Sequence, residues 1–304
     1  MHMDVSDLCR AKRVYENGEN VIEYFRNHPS SKTNESQAIE IAYDLQSGSY
    51  IDAVNSNPDI TCLYAKEVAN ILGNFVNESD SLLDIGSGEL TTLTLVLNEM
   101  TVKPKNILAL DISWSRLIKG KVFFDSNILK EDLEISPFVA DIKDIPLRRG
   151  CVDVVTSSHA LEPNRENLLC LLKELFRVVK KKLILFEPSY ELNSEEGRKR
   201  MDRHSYIRGI QSTAENLGGR VIEIIPMRNV GNPLNPTACY IIEPPSLNTD
   251  GYKEKPVFCV PGTNFVLEEK EGFLVSEETG FAYPVLRNIP ILKNQYGILA
   301  TAIF

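Results

Sequence analysis

Residues 82–90 read LLDIGSGEL: an apolar run, an acid, two glycines one residue apart, then polar and helix-friendly positions. A glycine loop straight after a buried strand lets backbone come close to a ligand, because no Cβ stands in the way. The flanks decide which ligand. A phosphate-binding loop ends in Gly-Lys-Ser/Thr so that a lysine meets the phosphates. Here Gly88 is followed by Glu89 and Leu90, which excludes it. A dinucleotide fingerprint has a third glycine three residues after the second, for close packing of helix on strand. That position is Thr91, and Glu89 would bring negative charge to the place where a phosphate should sit. The dinucleotide reading is therefore the weaker one, and a ligand with no phosphate is the third use such a loop can have.

Outward from the loop, short apolar runs alternate with helical segments. SLLDI (81–85), NILAL (106–110), PFVA (137–140), VDVVTS (152–157), KLILFE (182–187), RVIEII (220–225) and ACYIIE (238–243) read as strands. Helices are expected at about 90–100, 114–124, 163–179 and 195–217. The alternation implies crossover connections and a mostly parallel sheet covered on both faces. Between the last two strands lies MRNVGNPLNPT, too short for a helical crossover, so they are expected to pair antiparallel. The fold class is therefore α/β, a doubly wound, mostly parallel seven-stranded sheet over residues 79–245.

Residues 1–78 read as a helical N-terminal cap. Helical stretches are expected at 5–26 (with Val14, Ile22, Tyr24 and Phe25), about 37–55 and about 61–76, with NHPSSKTNES (27–36) as a polar linker. Leu63, Val68, Ile71 and Leu72 keep helical spacing. After the sheet, IIEPPSLNTDGYKEKP reads as a linker. Residues 254–304 read as a small β-rich domain with runs VFCV, NFVLEE, GFLVS, AYPVL and IPIL.

The net charge of −9 argues against broad nucleic-acid or anionic-membrane binding, which needs a basic surface. No apolar run approaches the length of a membrane span, and MHMDVSDLCRAKR lacks the apolar core of a signal peptide. Cys9, Cys62, Cys151, Cys170, Cys239 and Cys259 form no C-x-x-C pair. They are expected to be buried, reduced thiols in a cytoplasmic protein.

The acid two residues before the first glycine, Asp84-x-Gly86-x-Gly88, resembles motif I of class I S-adenosylmethionine-dependent methyltransferases. Their cofactor is a cation-bearing amino acid joined to adenosine, and a negative loop suits it. The resemblance implies that Asp84 and Ser87 lie by the amino-acid part, with Gly86 and Gly88 passing close to the ligand. Leu90 stands where many members carry a third glycine. NILALDIS ends a strand with Asp111 and Ile112, 27 residues after Asp84; the resemblance gives Asp111 the ribose hydroxyls. PFVADIKDIPL brings Asp141, a further 30 residues on, to the adenine amino group, with Ile142 against the ring. CVDVVTSSHALEPN, with Ser157, is the strand exit where the family brings cofactor and acceptor together. The competing reading is that each acid caps the helix after it. Three acids in this order, each ending a strand, favour the ligand site.

In AYDLQSGSYI, Tyr43 and Tyr50 resemble residues of the segment that closes over the cofactor; they serve equally well as core aromatics. His159, directly after the fourth strand, is the candidate catalytic base on an acceptor hydroxyl or amine. His159, Glu187, Tyr190, His204, Tyr206 and Arg208 are the candidate acceptor-binding residues. The last three sit in a basic stretch with Arg200 and Arg203, suited to an anionic acceptor or to a solvated helix face.

The last 30 or so residues carry Tyr283-Pro284-Val285, then Ile289-Pro290 and Leu292. They resemble the small zinc-ribbon-like activator subunit of tRNA and release-factor methyltransferases. Zinc-bearing members have two C-x-x-C pairs, which would fall at Cys259 and Gly262 and at Ser276 and Thr279; only Cys259 is a cysteine, so no metal is expected. The reading is a methyltransferase using S-adenosyl-L-methionine on O or N of a small-molecule acceptor, with a homodimer through the C-terminal domain as the expected assembly. The alternatives are an RNA or protein acceptor and a catalytically silent binding module.

Overall fold

The computed structural model describes residues 5–27, 35–130, 132–246 and 256–302. The N-terminal cap is helical, but two of its expected stretches are each broken by a glycine. Helices α1 (Val5–Glu16) and α2 (Val21–Arg26) are separated at Gly18, φ 76°. Asn20 restarts the chain by accepting the Glu23 N–H at 2.9 Å, an N-cap bond. Helices α3 (Ser36–Leu45) and α4 (Ser49–Ser56) are separated at Gly48, φ 108°. Pro58 opens α5 (Pro58–Leu72), where its missing N–H costs nothing. Part of the expected 27–36 linker, residues 28–34, lies outside the described residues.

The sheet follows the sequence reading. In chain order come β1 (Ser81–Ile85), α6 (Thr91–Glu99), β2 (Asn106–Asp111), α7 (Trp114–Asn127), β3 (Ser136–Val139), β4 (Val152–Ser158), α8 (Leu168–Val178) and β5 (Val179–Pro188). Then come α9 (Glu195–Arg203), α10 (Ile210–Asn216), β6 (Arg220–Pro226) and β7 (Thr237–Glu243). The spatial order is β3-β2-β1-β4-β5-β7-β6, with β7 antiparallel to both its neighbours. The helix expected at 195–217 is two, split where Ser205 and Gly209 take positive φ.

Successive strand residues point to opposite faces, and both faces are apolar. Leu82, Ile107, Val154, Ile184 and Ile241 pack on one face with Leu72, Leu97, Leu117 and Phe124 of α5, α6 and α7. Leu83, Leu108, Val155, Leu185 and Ile242 pack on the other with Leu171, Leu175 and Ala214 of α8 and α10. This is why SLLDI and KLILF read as continuous apolar runs.

The C-terminal segment forms a small antiparallel sheet of β8 (Glu268–Lys270), β9 (Phe273–Ser276), β10 (Phe281–Leu286), β11 (Ile289–Pro290) and β12 (Ile298–Leu299). It closes the open edge of β3. Ile291 bridges Val139 in parallel, and Leu292 N–H donates to the Val139 carbonyl at 2.8 Å. Phe258 bridges Leu147 and sets its ring edge-on to Phe138, centroids 5.1 Å apart. Tyr283 and Leu292 join the core on the α8 side, Ile289 the core on the α7 side. An edge strand covered in this way cannot template further pairing. Lys293, 3% exposed, pairs with Glu40 of α3.

All six cysteines are unpaired, but Cys9, Cys62 and Cys170 are exposed, contrary to the expectation of buried thiols. Among the described residues no helix is long and apolar enough to cross a membrane.

Candidate functional site

The carboxyl ends of β1 to β4 open into a cleft roofed by α3 and α4. Ligands of open parallel sheets bind at that end. The loop after β1 turns sharply, with Gly86, Gly88 and Leu90 all at positive φ (64°, 55° and 54°). Both glycines are tightly packed, and by the protein itself. A Cβ on Gly86 would lie 2.3 Å from the Ala160 Cβ, and one on Gly88 would lie 2.3 Å from Arg116 Nη2. Leu90, at the start of α6, is fully buried in spite of its left-handed backbone. Gly120 of α7 makes the room: a Cβ there would meet the Glu89 carbonyl carbon at 2.6 Å and Leu90 Cγ at 2.8 Å.

The three acids of the sequence pattern converge here. Asp84 lines the cleft, and burial pushes its carboxyl up to about 7, with the charge of Asp111 adding to the shift. Asp111 accepts the Gly88 N–H at Oδ2 (2.8 Å) and the Ser113 N–H at Oδ1 (2.9 Å). It is not the cap of α7; that is Ser113, whose side chain accepts from the Arg116 N–H. Asp141 accepts the Lys143 N–H at 2.9 Å and lines the cleft with Ile142. Gly86, Ser87, Ile112 and His159 line it too.

His159 sits at φ 55° on the exit from β4. Its Nε2 lies 2.8 Å from Thr237 Oγ1 and its Nδ1 3.4 Å from Glu162 Oε2. Burial pulls the imidazole pKa down, but the hydrogen bond and charge of Glu162, with the charge of Glu187, outweigh it and raise it overall. Tyr64 and Ser158 share a 2.8 Å hydrogen bond close by.

Six of the sequence candidates lie elsewhere. Ser157 is fully buried and donates to Glu187 Oε1 at 2.7 Å; the adjacent Ser158 lines the cleft in its place. Glu187 is fully buried as well. Its Oε1 also accepts the Ala160 and Leu161 N–H groups at 3.0 and 3.1 Å, which ties the β4 exit loop to β5. Burial pushes its carboxyl up to about 7. Tyr190 stacks under Arg198 and Arg208 and donates to Asp202, so Tyr190 and Arg208 form a surface cluster. His204 and Tyr206 line a shallow depression beside α2 with Glu23 and Arg26; Tyr43 borders both that depression and the cleft.

The sequence reading missed Arg116 and the part played by Glu89. Glu89 is buried and accepts the Gly48 and Ile51 N–H groups, each at 2.9 Å, which caps α4 and fastens the roof to the glycine loop. Arg116 lies under Tyr43 and Tyr50, 5.1 and 4.6 Å from their ring centroids. Asp44 of α3 accepts from Ser113 Oγ at 2.6 Å. These are long-range pairings, and a negative loop residue was their one local sign.

A family model described as "Methyltransferase domain" matches residues 83–186, from β1 into β5. Among solved structures, a chain of the complex between the Haloferax volcanii Trm112 methyltransferase activator and a methyltransferase is similar at 14% identity. The alignment covers 66% of this chain and 96% of that one, with a TM-score of 0.52. A S-adenosylmethionine-dependent methyltransferase of Methanosarcina mazei aligns at 14% identity over 58% of this chain and 98% of its own, TM-score 0.49. A sarcosine dimethylglycine methyltransferase of Galdieria sulphuraria aligns at 12% over 59% and 84%, TM-score 0.45. No curated protein matches the chain in sequence. The fold is that of Rossmann-like methyltransferases, and the domain match indicates S-adenosylmethionine as the cofactor.

Proposed function

We propose that this protein is an S-adenosylmethionine-dependent methyltransferase that methylates O or N of a small-molecule acceptor. The observation that carries the reading is the cleft itself: Asp84, Asp111 and Asp141 end successive strands around one roofed space. The donor set fits the cofactor. Asp84 is buried, with its pKa pushed up to about 7, and an ammonium beside it would restore its charge. Asp111 offers a carboxylate for ribose hydroxyls, Asp141 one for the adenine amine, and Ile112 and Ile142 supply apolar walls. Ser87 and the backbone at Gly86 face the amino-acid part.

The cofactor supplies an electrophilic methyl group on a sulfonium. The chain has to align the acceptor and exclude water. Tyr43 and Tyr50, held by Glu89 and Arg116, are the water-excluding roof. His159, kept basic by Glu162, is the group placed to take the acceptor's proton, after it exchanges Thr237 for the acceptor. Glu187 holds that loop in place from below. The reading divides the chain into a cap (1–78), a catalytic domain (79–245) and an activator-like domain (254–304) that braces β3 from within the same polypeptide.

A small acceptor is favoured over RNA by the net charge of −9. Exposed Ile298 and Leu299 on β12, an edge of the small sheet, support a homodimer through that domain. Calorimetric titration with S-adenosylmethionine and S-adenosylhomocysteine tests the core of the proposal. Asp111→Ala should lose about 30- to 1000-fold in affinity, since two charge-assisted hydrogen bonds go. A wild type that binds neither ligand ends the enzyme reading. Binding without methyl transfer to any acceptor points to a silent module, and binding to tRNA at moderate salt points to RNA.

A further inference from the structure

We propose that Arg116 is a specificity residue of the cleft: it donates hydrogen bonds to the ribose hydroxyls of the bound cofactor, across from the Asp111 carboxylate that accepts from them. The inference rests on the cofactor reading above and adds a residue that the sequence pattern does not mark.

Arg116 is 7% exposed and lines the cleft next to Asp111. Two carboxylates lie within ion-pair range but beyond hydrogen-bond distance: Glu89 Oε1 is 3.7 Å from Nε, and Asp111 Oδ2 is 4.0 Å from Nη1. The buried Nε has no hydrogen-bond partner among the described residues. A buried donor left this way costs free energy until something accepts from it. Neither acid is drawn onto the guanidinium. Each oxygen of Glu89 and Asp111 already accepts one backbone N–H, from Gly48 and Ile51 and from Gly88 and Ser113, and keeps a lone pair for a further donor. The guanidinium is also held in place, over the rings of Tyr43 and Tyr50 and against the bare α-carbon of Gly88.

A ligand in the cleft that Arg116 lines can supply an acceptor to the guanidinium, and the charges there restrict its chemistry. Glu89 and Asp111 would repel a phosphate or a free carboxylate at this spot. A neutral diol fits. Each hydroxyl has one proton and two lone pairs; the proton goes to Asp111 and a lone pair accepts from Arg116. The carboxylate and the guanidinium then read the two halves of one functional group. An analogue lacking the hydroxyls would leave both unpaired, which is how a built polar site rejects a ligand.

The test is a set of calorimetric titrations on the full chain, with S-adenosylhomocysteine, its 2′,3′-dideoxy analogue and 5′-methylthioadenosine. Wild type, R116M and R116Q are compared. R116M should lose about 10- to 100-fold for the two ligands that keep the diol and no more than about threefold for the dideoxy analogue, with R116Q in between. Equal losses on all three ligands would overturn the proposal, because Arg116 would then act only by holding the roof. A loss that disappears with 5′-methylthioadenosine would overturn it in favour of the amino-acid carboxylate. If R116M does not fold, R116Q carries the same comparison. A wild type that binds none of the ligands refutes the cofactor reading instead.

Discussion

The cleft at the strand ends and the seam along β3 are both buried, and burial does opposite things in them. The seam sets Phe258, Tyr283 and Leu292 against Phe138, Val139 and Leu147, apolar groups with their backbone bonds made across the junction. Removing such surface from water stabilises the fold. The cleft buries Asp84, Glu89, Asp111 and Arg116, with Asp84 pushed toward its neutral form and Arg116 short of an acceptor. That arrangement costs stability in the free protein and is recovered when a ligand supplies the partners. Changes at the seam should therefore move stability and spare binding; changes in the cleft should do the reverse.

The largest effect is expected at the seam. Tyr283→Ala, which empties a fully buried site, should lower unfolding stability by about 3–5 kcal/mol in a denaturant titration. Cofactor affinity of the folded fraction should stay within about threefold. A large affinity loss would show that the two regions are not separate.

Gly86→Ala joins the two effects. It puts a methyl group against Ala160 and strains a φ of 64°, at about 2–4 kcal/mol of stability. Adding Ala160→Gly should return part of the stability, because it removes the clash and leaves the backbone strain. No recovery would mean that strain alone sets the cost.

Asp84→Asn separates stability from binding most sharply. In the unfolded chain this carboxyl ionises at the ordinary aspartate value of about 3.9, while folded it keeps its proton up to about 7. The folded state therefore binds more protons in between, and stability falls as pH rises from about 4 to 7. The Asn variant should lack that fall and be more stable than wild type at pH 8 by on the order of 2 kcal/mol, measured by thermal melting. Its cofactor affinity should be lower, and wild-type affinity should itself weaken as pH drops below about 7. A variant less stable than wild type at pH 8 would refute the buried-charge account.

The smallest effect is expected at the junction of roof and sheet. Ser113→Ala removes the cap of α7 and the hydrogen bond to Asp44, at about 1 kcal/mol. Affinity should fall a few-fold. Unchanged affinity would leave Glu89 as the fastening that matters.

The sheet was legible because its central strands are short, largely apolar runs between punctuation residues, and the helices between them have their own periodicity. The breaks in the cap were harder to see. Gly18 and Gly48 end helices through positive φ, whereas Gly120 sits inside a helix, and nothing local separates the two cases. The acids Asp84, Asp111 and Asp141 were legible because each stands at a strand end, a position that spacing can find. Ser157 and Glu187 were placed at the right strand ends but on the wrong side of the backbone. Strand alternation turns Ser157 inward and Ser158 toward the cleft.

The sequence alone determined the alternation of strands and helices, the antiparallel last strand, and the line of acids around one end of the sheet. All of these are set by neighbours within a few residues. Tertiary structure decided that Arg116 would lie between Tyr43, Tyr50 and Gly88, that Glu89 would cap a helix some 40 residues earlier, and that the C-terminal segment would close β3. Those contacts join segments with no shared periodicity. They exist because buried donors, acceptors and strand edges must find partners wherever the folded chain brings them.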